Sequence, residues 1–210
     1  MGMEGFMARW YAKSTKNDLN SFQNEARKIA TQLNPDADVL EVAPGPGYFS
    51  IELAKLGPFK ITGLDISRTF VQIARKKAQE QSVSVDFRQG NASAMPFDAD
   101  SFDFIYCRAA FKNFSQPLEA INEMHRVLRS GGHALIHDLR KDVSMEDINA
   151  YVKSSGRSRF DAMFTRLAFR SFLIKRAYTK QDFVNMAQKS RFAGCLIETT
   201  SIGLEVHFQK

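Results

Sequence analysis

A glycine-containing loop and two acidic residues at the ends of predicted strands could bind a nucleoside ligand. Glu41 lies in a short, mostly apolar segment that we expect to be a buried strand. The loop after it contains Gly45 and Gly47, separated by one residue. Glycine lets a backbone approach a ligand closely and permits positive φ. Asp65 ends the next predicted strand, where a carboxylate can accept both ribose hydroxyls of a nucleoside. The alternative for Asp65 is an exposed loop aspartate without a ligand.

The glycine spacing disfavours a dinucleotide site. The nicotinamide and flavin fingerprint needs a third glycine three residues after the second. Ser50 stands at that position. We therefore do not expect a nicotinamide-dependent oxidoreductase.

Apolar runs that alternate with helical patterns indicate βα units around a parallel sheet. The predicted strands are Asp38–Val42, Lys60–Asp65, Val83–Gln89, Phe102–Cys107 and His133–His137. A helix is predicted over Leu19–Leu33, and residues 1–15 are expected to be irregular. An antiparallel hairpin is predicted over Phe192–Thr200 and Leu204–Phe208. The prediction is therefore one α/β domain, residues 1–210, with an N-terminal helical cap (1–34) and a helical insertion (141–191).

Five motifs carry a resemblance to a known family. They are Glu-x-Ala-Pro-Gly-Pro-Gly (41–47), Gly-Leu-Asp-Ile-Ser (63–67), Gly-Asn-Ala-x-x-Met-Pro-Phe (90–97), Ser-Phe-Asp-Phe-Ile (101–105) and Glu-Met-His-Arg-Val-Leu-Arg-Ser-Gly-Gly (123–132). In this order they resemble class I S-adenosylmethionine-dependent methyltransferases, in particular the small ubiquinone/menaquinone-biosynthesis branch. The resemblance covers roughly residues 36–140. It implies a doubly wound seven-stranded sheet of order 3-2-1-4-5-7-6 with an antiparallel last strand.

The same resemblance implies S-adenosyl-L-methionine as the cofactor. The Gly45–Gly47 loop would pass under its methionine part, Asp65 would hold the ribose, and Ile66 would lie against adenine. Many relatives have Asp where this chain has Asn91, whose carbonyl oxygen can still accept from an amine. The implied cofactor-binding residues are Glu41, Ala43, Gly45, Gly47, Asp65, Ile66, Asn91, Ala92, Cys107 and Arg108.

The acceptor side has weaker signals. His137 ends the fifth predicted strand and is the candidate general base, although a packed strand-end histidine is the alternative. Phe111, Lys112 and Asn113 follow the fourth strand and suggest an aromatic wall with polar hooks. Two further predictions concern the sides of the acceptor pocket. Arg166 and Arg170 would belong to a lid over it, or else to an amphipathic helix packed on the sheet. Tyr11 in the cap would close the other side, or else only anchor the end of the chain.

The charge is unevenly distributed. The chain has a net charge of +6, while residues 151–191 contain ten basic and two acidic side chains, a net of +8. This predicts either a solvated helical face or attraction to an acidic substrate, an anionic membrane surface or nucleic acid. The strand-four motif of base-amino methyltransferases is absent, which argues against nucleic acid.

Composition narrows the remaining possibilities. The two cysteines, Cys107 and Cys195, lack metal spacing, so we expect no metal and a cytoplasmic protein. No apolar run approaches the roughly 20 residues that span a bilayer, and no secretory leader is recognisable. The predicted function is methyl transfer to a small acceptor, for which an aromatic or an anionic molecule is the candidate. The alternative is a non-catalytic module that binds S-adenosylmethionine.

Overall fold

In the computed structural model, which describes residues 2–154, 167, 169 and 173–210, the described strands form one seven-stranded sheet. Its order is β3-β2-β1-β4-β5-β7-β6. All neighbours are parallel except β7, which is antiparallel to both β5 and β6. This confirms the predicted fold. The strands are β1 (Asp38–Val42), β2 (Lys60–Asp65), β3 (Asp86–Gln89), β4 (Phe102–Arg108), β5 (Leu128–Leu139), β6 (Leu196–Thr199) and β7 (Gly203–Gln209).

Helices cover both faces of this sheet. They are α1 (Gly5–Ser14), α2 (Leu19–Ala30), α3 (Tyr48–Ala54), α4 (Arg68–Glu80), α5 (Pro117–Val127), α6 (Met145–Ser154), α7 (Ile174–Arg176) and α8 (Lys180–Lys189), with 3₁₀ turns at Thr15–Asp18 and Phe111–Asn113. Over the part of the chain described, no helix combines the length and apolar character needed to cross a membrane.

Strand alternation sends successive side chains to opposite faces of the sheet. On β1, Val39 packs with α2 and α3 on one face, whereas Leu40 and Val42 pack with α5 and α8 on the other. Glu41 therefore lies on the α2–α3 face. Residues paired across neighbouring strands share a face, so β-sheet register fixes which polar side chains meet there.

The predicted strand bounds agree closely with the structure at β1 and β2, and β5 is longer than predicted. The prediction of an irregular N-terminus is wrong, because residues 5–14 form helix α1. Ala8 and Ala12 bury the inner face of α1, and the Tyr48 hydroxyl donates to the Ala12 carbonyl oxygen over 2.7 Å. The large apolar residues of α1 point outward, Phe6 and Trp10 being more than half exposed. An amphipathic helix is normally recognised by large apolar residues spaced along its buried face. In α1 the large apolar residues are exposed, so this spacing does not identify the helix.

Candidate functional site

The loop between β1 and α3 contains two glycines that are required for different reasons. Both adopt positive φ, +55° at Gly45 and +77° at Gly47. A Cβ at position 47 would lie 2.7 Å from the Phe87 ring and 2.9 Å from the Ala74 Cβ, so packing excludes any side chain. A Cβ at position 45 would meet nothing within 4 Å. The loop therefore presents an open face at Gly45 that a ligand can approach.

Ala43 opens the same loop with φ +58°, in the left-handed region that side chains rarely adopt. Its backbone N–H donates to the Leu64 carbonyl oxygen at 2.8 Å, which ties the end of β1 to β2. Such strained positions concentrate at ligand sites, where the surrounding structure holds them.

Asp65 lies beside this loop at the end of β2. Its Oδ2 accepts the Gly45 N–H at 2.9 Å, and its Oδ1 accepts the Ser67 N–H at 2.8 Å. Burial raises the pKa of Asp65, and the two backbone hydrogen bonds oppose that shift. An ionised carboxylate offers about four acceptor positions, so about two remain after these bonds. Those positions suit a pair of ribose hydroxyls.

Residues of the β3 loop complete this edge of the sheet. The Gly90 N–H donates to the Asp65 carbonyl oxygen at 2.9 Å, which brings the loop against Ile66. Ile66 is 48% exposed, and a Cβ at Gly2 would lie 2.8 Å from its Cγ2. The N-terminal segment thus borders the predicted adenine surface. Asn91 is exposed and Ala92 packs partly against the core. The Asn91 Oδ1 accepts the Ser93 N–H at 3.0 Å, which leaves one of its two lone pairs for a further donor.

Glu41 is buried and directed toward α3. Its Oε2 accepts the Ser50 N–H at 3.1 Å and also the Ser50 hydroxyl. Burial raises the pKa of Glu41 to about 7, against the opposing effect of Ser50. Ser50, which stands where a dinucleotide site has glycine, is thus the partner of this carboxylate.

The side chains that end β4 pack inside the protein and against α2. Cys107 is fully buried, and burial raises its thiol pKa well above the usual value. Arg108 turns to α2, where its Nη2 donates to the Ser21 hydroxyl at 2.7 Å and its guanidinium lies 4.6 Å from the Phe22 ring centre. The cofactor-binding roles of Cys107 and Arg108 stay predictions.

His137 on β5 meets a residue that the sequence did not single out. Glu25 of α2 places its Oε1 3.9 Å from the His137 Nδ1. Glu205 of β7 pairs with His137 in the sheet register, and one ligand-type atom from each of the three residues lies within 4.8 Å of the others. No motif surrounds Glu25, and only the packing of α2 on the strand ends identifies it.

In the loop after β4, the residues predicted to form an aromatic wall with polar hooks have partners within the protein. Phe111 is fully buried, with its ring 5.2 Å from that of Phe114 and 5.4 Å from that of Phe183. The Lys112 ammonium donates to the Asp138 Oδ1 at 2.7 Å and is nearly buried, so it is not free to hold an acceptor. Asn113 is exposed, and its Oδ1 lies 3.4 Å from the Arg176 Nη1.

The remaining acceptor candidates divide between cap and lid. Tyr11 is half-buried, with its ring 5.8 Å from that of Phe70 in an edge-to-face arrangement. Burial raises the pKa of its phenol, and the negative charges of Asp18, Asp138 and Asp65 act in the same direction. Tyr11 therefore lies close enough to Asp65 at the end of β2 and to Asp138 on β5 for their charges to affect its pKa. Arg166 and Arg170 lie outside the described residues.

Residues 40–136 match the family of methyltransferase domains. This match covers a little under half of the chain. The family match covers the loop at Gly45, Asp65, the end of β4 and β5 as far as Ile136. Together with the sheet order, it confirms the resemblance to class I S-adenosylmethionine-dependent methyltransferases.

Three known proteins illustrate what this chain is similar to. The demethylmenaquinone methyltransferase of Deinococcus radiodurans is 37% identical over 99 residues, 47% of this chain and 41% of the relative. The ubiquinone/menaquinone biosynthesis C-methyltransferase UbiE of Wigglesworthia glossinidia brevipalpis is 32% identical over 140 residues, 62% and 56% of the two chains. This chain thus spans about half the length of these relatives. The crystal structure of an inferred S-adenosyl-L-methionine-dependent methyltransferase from Methanococcus maripaludis shares the fold, with TM-score 0.83, 20% identity and coverage of 100% and 94%.

Proposed function

We propose that the protein transfers a methyl group from S-adenosyl-L-methionine to a small-molecule acceptor. The observation that carries this proposal is the pairing of Gly45 with Asp65. The loop has an open face at Gly45, and the carboxylate beside it keeps acceptor positions for ribose hydroxyls. Both lie at the carboxyl ends of β1 and β2, where open α/β sheets bind ligands. The cofactor supplies a methyl group that its sulfonium has already activated, so the protein has mainly to position and desolvate the acceptor.

The described residues fit the cofactor in a definite order along the sheet edge. The backbone of the loop at Gly45 and Gly47 would hold the methionine part, and Asp65 the ribose. Ile66 offers an exposed apolar surface for adenine, and Asn91 and Ala92 border it. Glu41 would act through Ser50 and the loop, because both of its observed hydrogen bonds go to Ser50.

The acceptor is proposed from the relatives and from the cap. The names of two relatives point to quinone-type molecules, demethylmenaquinone and the ubiquinone/menaquinone pathway products. A ring of that kind would enter between Tyr11 of the cap and the ends of β4 and β5. We propose that the acceptor is not a nucleic acid. Residues 141–191 are proposed as an acceptor lid within a single domain.

Calorimetric titration tests the cofactor assignment directly. S-adenosyl-L-methionine should bind and NADH should not. Asp65→Ala should weaken binding by about tenfold or more, because hydrogen bonds to a charged group contribute about 1.5–3 kcal/mol. Asp86→Ala is the matched control, since Asp86 is an exposed carboxylate on the next strand that pairs with Arg88 over 2.7 Å. Equal affinities for the two variants would refute the role of Asp65.

Turnover separates an enzyme from a binding module. Methyl-labelled cofactor is incubated with the protein and demethylmenaquinol, and separately with a whole metabolite extract. Labelled product in either reaction supports the proposed activity. Tight cofactor binding without transfer in either reaction would instead indicate a non-catalytic module.

A further inference from the structure

A row of polar side chains crosses the sheet on its α2–α3 face. Register pairs Glu41 with Tyr106, Arg108 with His137, and His137 with Glu205. Tyr106 and Arg108 are two residues apart on β4 and so share a face. The row therefore runs from the loop at Gly45 to the end of β5, beneath helix α2.

The middle of this row contains polar atoms that have no hydrogen-bond partner among the described residues. Seven buried side-chain nitrogen or oxygen atoms lack a partner among the described residues, and four of them lie here. They are Glu25 Oε1, Tyr106 Oη, Arg108 Nη1 and His137 Nδ1. Tyr106 is fully buried, so its hydroxyl has no access to bulk water. Leaving buried polar groups unpaired is costly, which is why such atoms concentrate where a ligand pairs with them.

The gap between two of these atoms fits one oxygen atom. Glu25 Oε1 and His137 Nδ1 are 3.9 Å apart, too far for a mutual hydrogen bond. A single oxygen between them can lie at a normal hydrogen-bond distance, about 2.8 Å, from both. The side chains of Glu25 and His137 are 12% and 23% exposed, so the gap between them lies just below the surface.

The protonation states of these side chains suit an oxygen that carries a hydroxyl proton, which Glu25 can accept in a hydrogen bond. Burial alone would raise the pKa of Glu25, but His137, Arg108 and Lys28 together hold it below its usual range, so Glu25 is a carboxylate. Burial and the charge of Glu25 raise the Tyr106 pKa well above its usual value, so its hydroxyl stays a donor. Glu205 differs from Glu25, because Lys28 neutralises it over 2.9 Å.

We propose that Glu25, Tyr106, Arg108 and His137 form the polar end of the acceptor pocket and take an acceptor with a weakly acidic hydroxyl, a phenol or an enol. The proposal rests on the proposed methyl transfer. His137 takes the hydroxyl proton at Nδ1, and Glu25 stabilises the resulting imidazolium. Arg108 and Tyr106 hold the oxyanion. Electrons of the ionised acceptor form the new bond to the methyl carbon, and the carbon–sulfur bond breaks with its electron pair left on sulfur.

A chromophoric phenol tests the pocket without turnover. The probe is 4-nitrocatechol, whose absorbance reports ionisation, added to the whole protein with and without S-adenosyl-L-methionine at a pH where the free probe is mostly protonated. The expected result is binding with a shift to the ionised spectrum. His137→Gln and Glu25→Gln should each lower the probe affinity about tenfold or more, the size expected for one charge-assisted hydrogen bond.

Two further variants distinguish a ligand site from a structural cluster. Tyr106→Phe should weaken probe binding while its melting temperature is unchanged or higher, because it removes an unpartnered buried hydroxyl. Glu205→Gln is the matched control, a carboxylate of the same row that should keep probe affinity within about twofold because Lys28 already occupies it. Unchanged probe binding in all variants, or a lower melting temperature for Tyr106→Phe without weaker binding, would overturn the proposal.

Two other outcomes have distinct meanings. If probe binding requires added Zn²⁺ or Mn²⁺, is lost with EDTA, and falls equally in Glu25→Gln and Glu205→Gln, then Glu25, His137 and Glu205 are metal ligands and the proposal is wrong. If the cofactor fails to bind in calorimetry, the proposed function fails, whereas cofactor binding without probe binding sinks this proposal alone.

Discussion

The carboxylate of Glu41 accepts hydrogen bonds from both the backbone amide and the hydroxyl of Ser50, in the buried layer between β1 and α3. These bonds favour the ionised carboxylate, yet burial outweighs them and raises the Glu41 pKa to about 7. Protonated and ionised forms of Glu41 therefore coexist near neutral pH. A cationic ligand above the loop would favour the ionised form.

This shift predicts that Glu41 makes the free protein less stable as pH rises. The folded pKa, about 7, exceeds the ordinary value of 4.5. Its contribution is therefore fully present below pH 4.5 and is lost as pH rises through 7, by at most about 3 kcal/mol. Urea unfolding of the wild type and Glu41→Gln should show their stability difference changing in this direction between pH 5 and pH 8. A pH-independent difference would contradict the shift. Ser50→Ala, which removes one stabilising hydrogen bond, should enlarge the loss.

Two alanine substitutions in the loop should separate packing from ligand approach. Gly47→Ala should lower the free energy of unfolding by several kcal/mol, because strain at positive φ adds about 1–2 kcal/mol to an overpacking cost of about 1–3 kcal/mol against Phe87 and Ala74. Gly45→Ala should carry only the backbone strain, since its Cβ meets nothing. It should nevertheless lose cofactor affinity. Chemical denaturation and calorimetry measure the two effects, and a Gly45→Ala variant that binds normally would place the cofactor elsewhere.

The buried ion pair behind the β4 loop should be structural. Lys112→Met should destabilise the fold by about 3–5 kcal/mol, because it leaves Asp138 charged and uncompensated in the interior. Lys76→Met is the control, since Lys76 forms an exposed pair with Glu80 at 3.8 Å and should change stability by less than about 0.5 kcal/mol. Denaturant midpoints compare the variants. Similar small losses for both would show that Lys112 is replaceable and reopen its role as an acceptor contact.

The N-terminal helix should depend on one carboxylate. Glu4 accepts the Arg68 N–H at 2.9 Å and the Thr69 N–H at 3.1 Å, which satisfies two free amides at the start of α4. Glu4→Ala should speed amide hydrogen exchange across residues 5–14. Arg9→Ala, at an exposed position of the same helix, should not. Equal exchange in both variants would mean that Ala8, Ala12 and Tyr48 hold the helix without this contact.

The sequence predicted the sheet better than the acceptor pocket, for physical reasons. Pro35 precedes β1 and Gly57-Pro58 precede β2, and these residues separate each short strand from the helix before it, so the predicted bounds of β1 and β2 match the observed ones. Chain order along a parallel sheet also brings Gly45 and Asp65 to one edge, where the structure finds them hydrogen-bonded. An aromatic residue after a strand has the same sequence signature in a core as in a pocket, and Phe111 belongs to the core.

Contacts between distant elements left no signal in the sequence. Glu25 lies on an ordinary helix, and only the tertiary packing of α2 brings it to His137. The left-handed backbone of Ala43 and Ala109 was also invisible, since alanine gives no hint of positive φ. The roles of the candidate residues at the cofactor and acceptor sites stay predictions until ligands are bound.

The position of β7 has a consequence for how the polar row is assembled during synthesis. β7 follows β6 in the chain but lies between β5 and β6, and β6 pairs with β7 alone among the described strands. A chain emerging in order from the ribosome would therefore hold β5 with one edge open until residues 203–209 had been made, and open edges invite pairing with other chains. Glu205 and its contact with Lys28 arrive with that same strand. The contacts around His137 are thus completed when β7 pairs with β5. The same late step in folding also covers the open edge of β5.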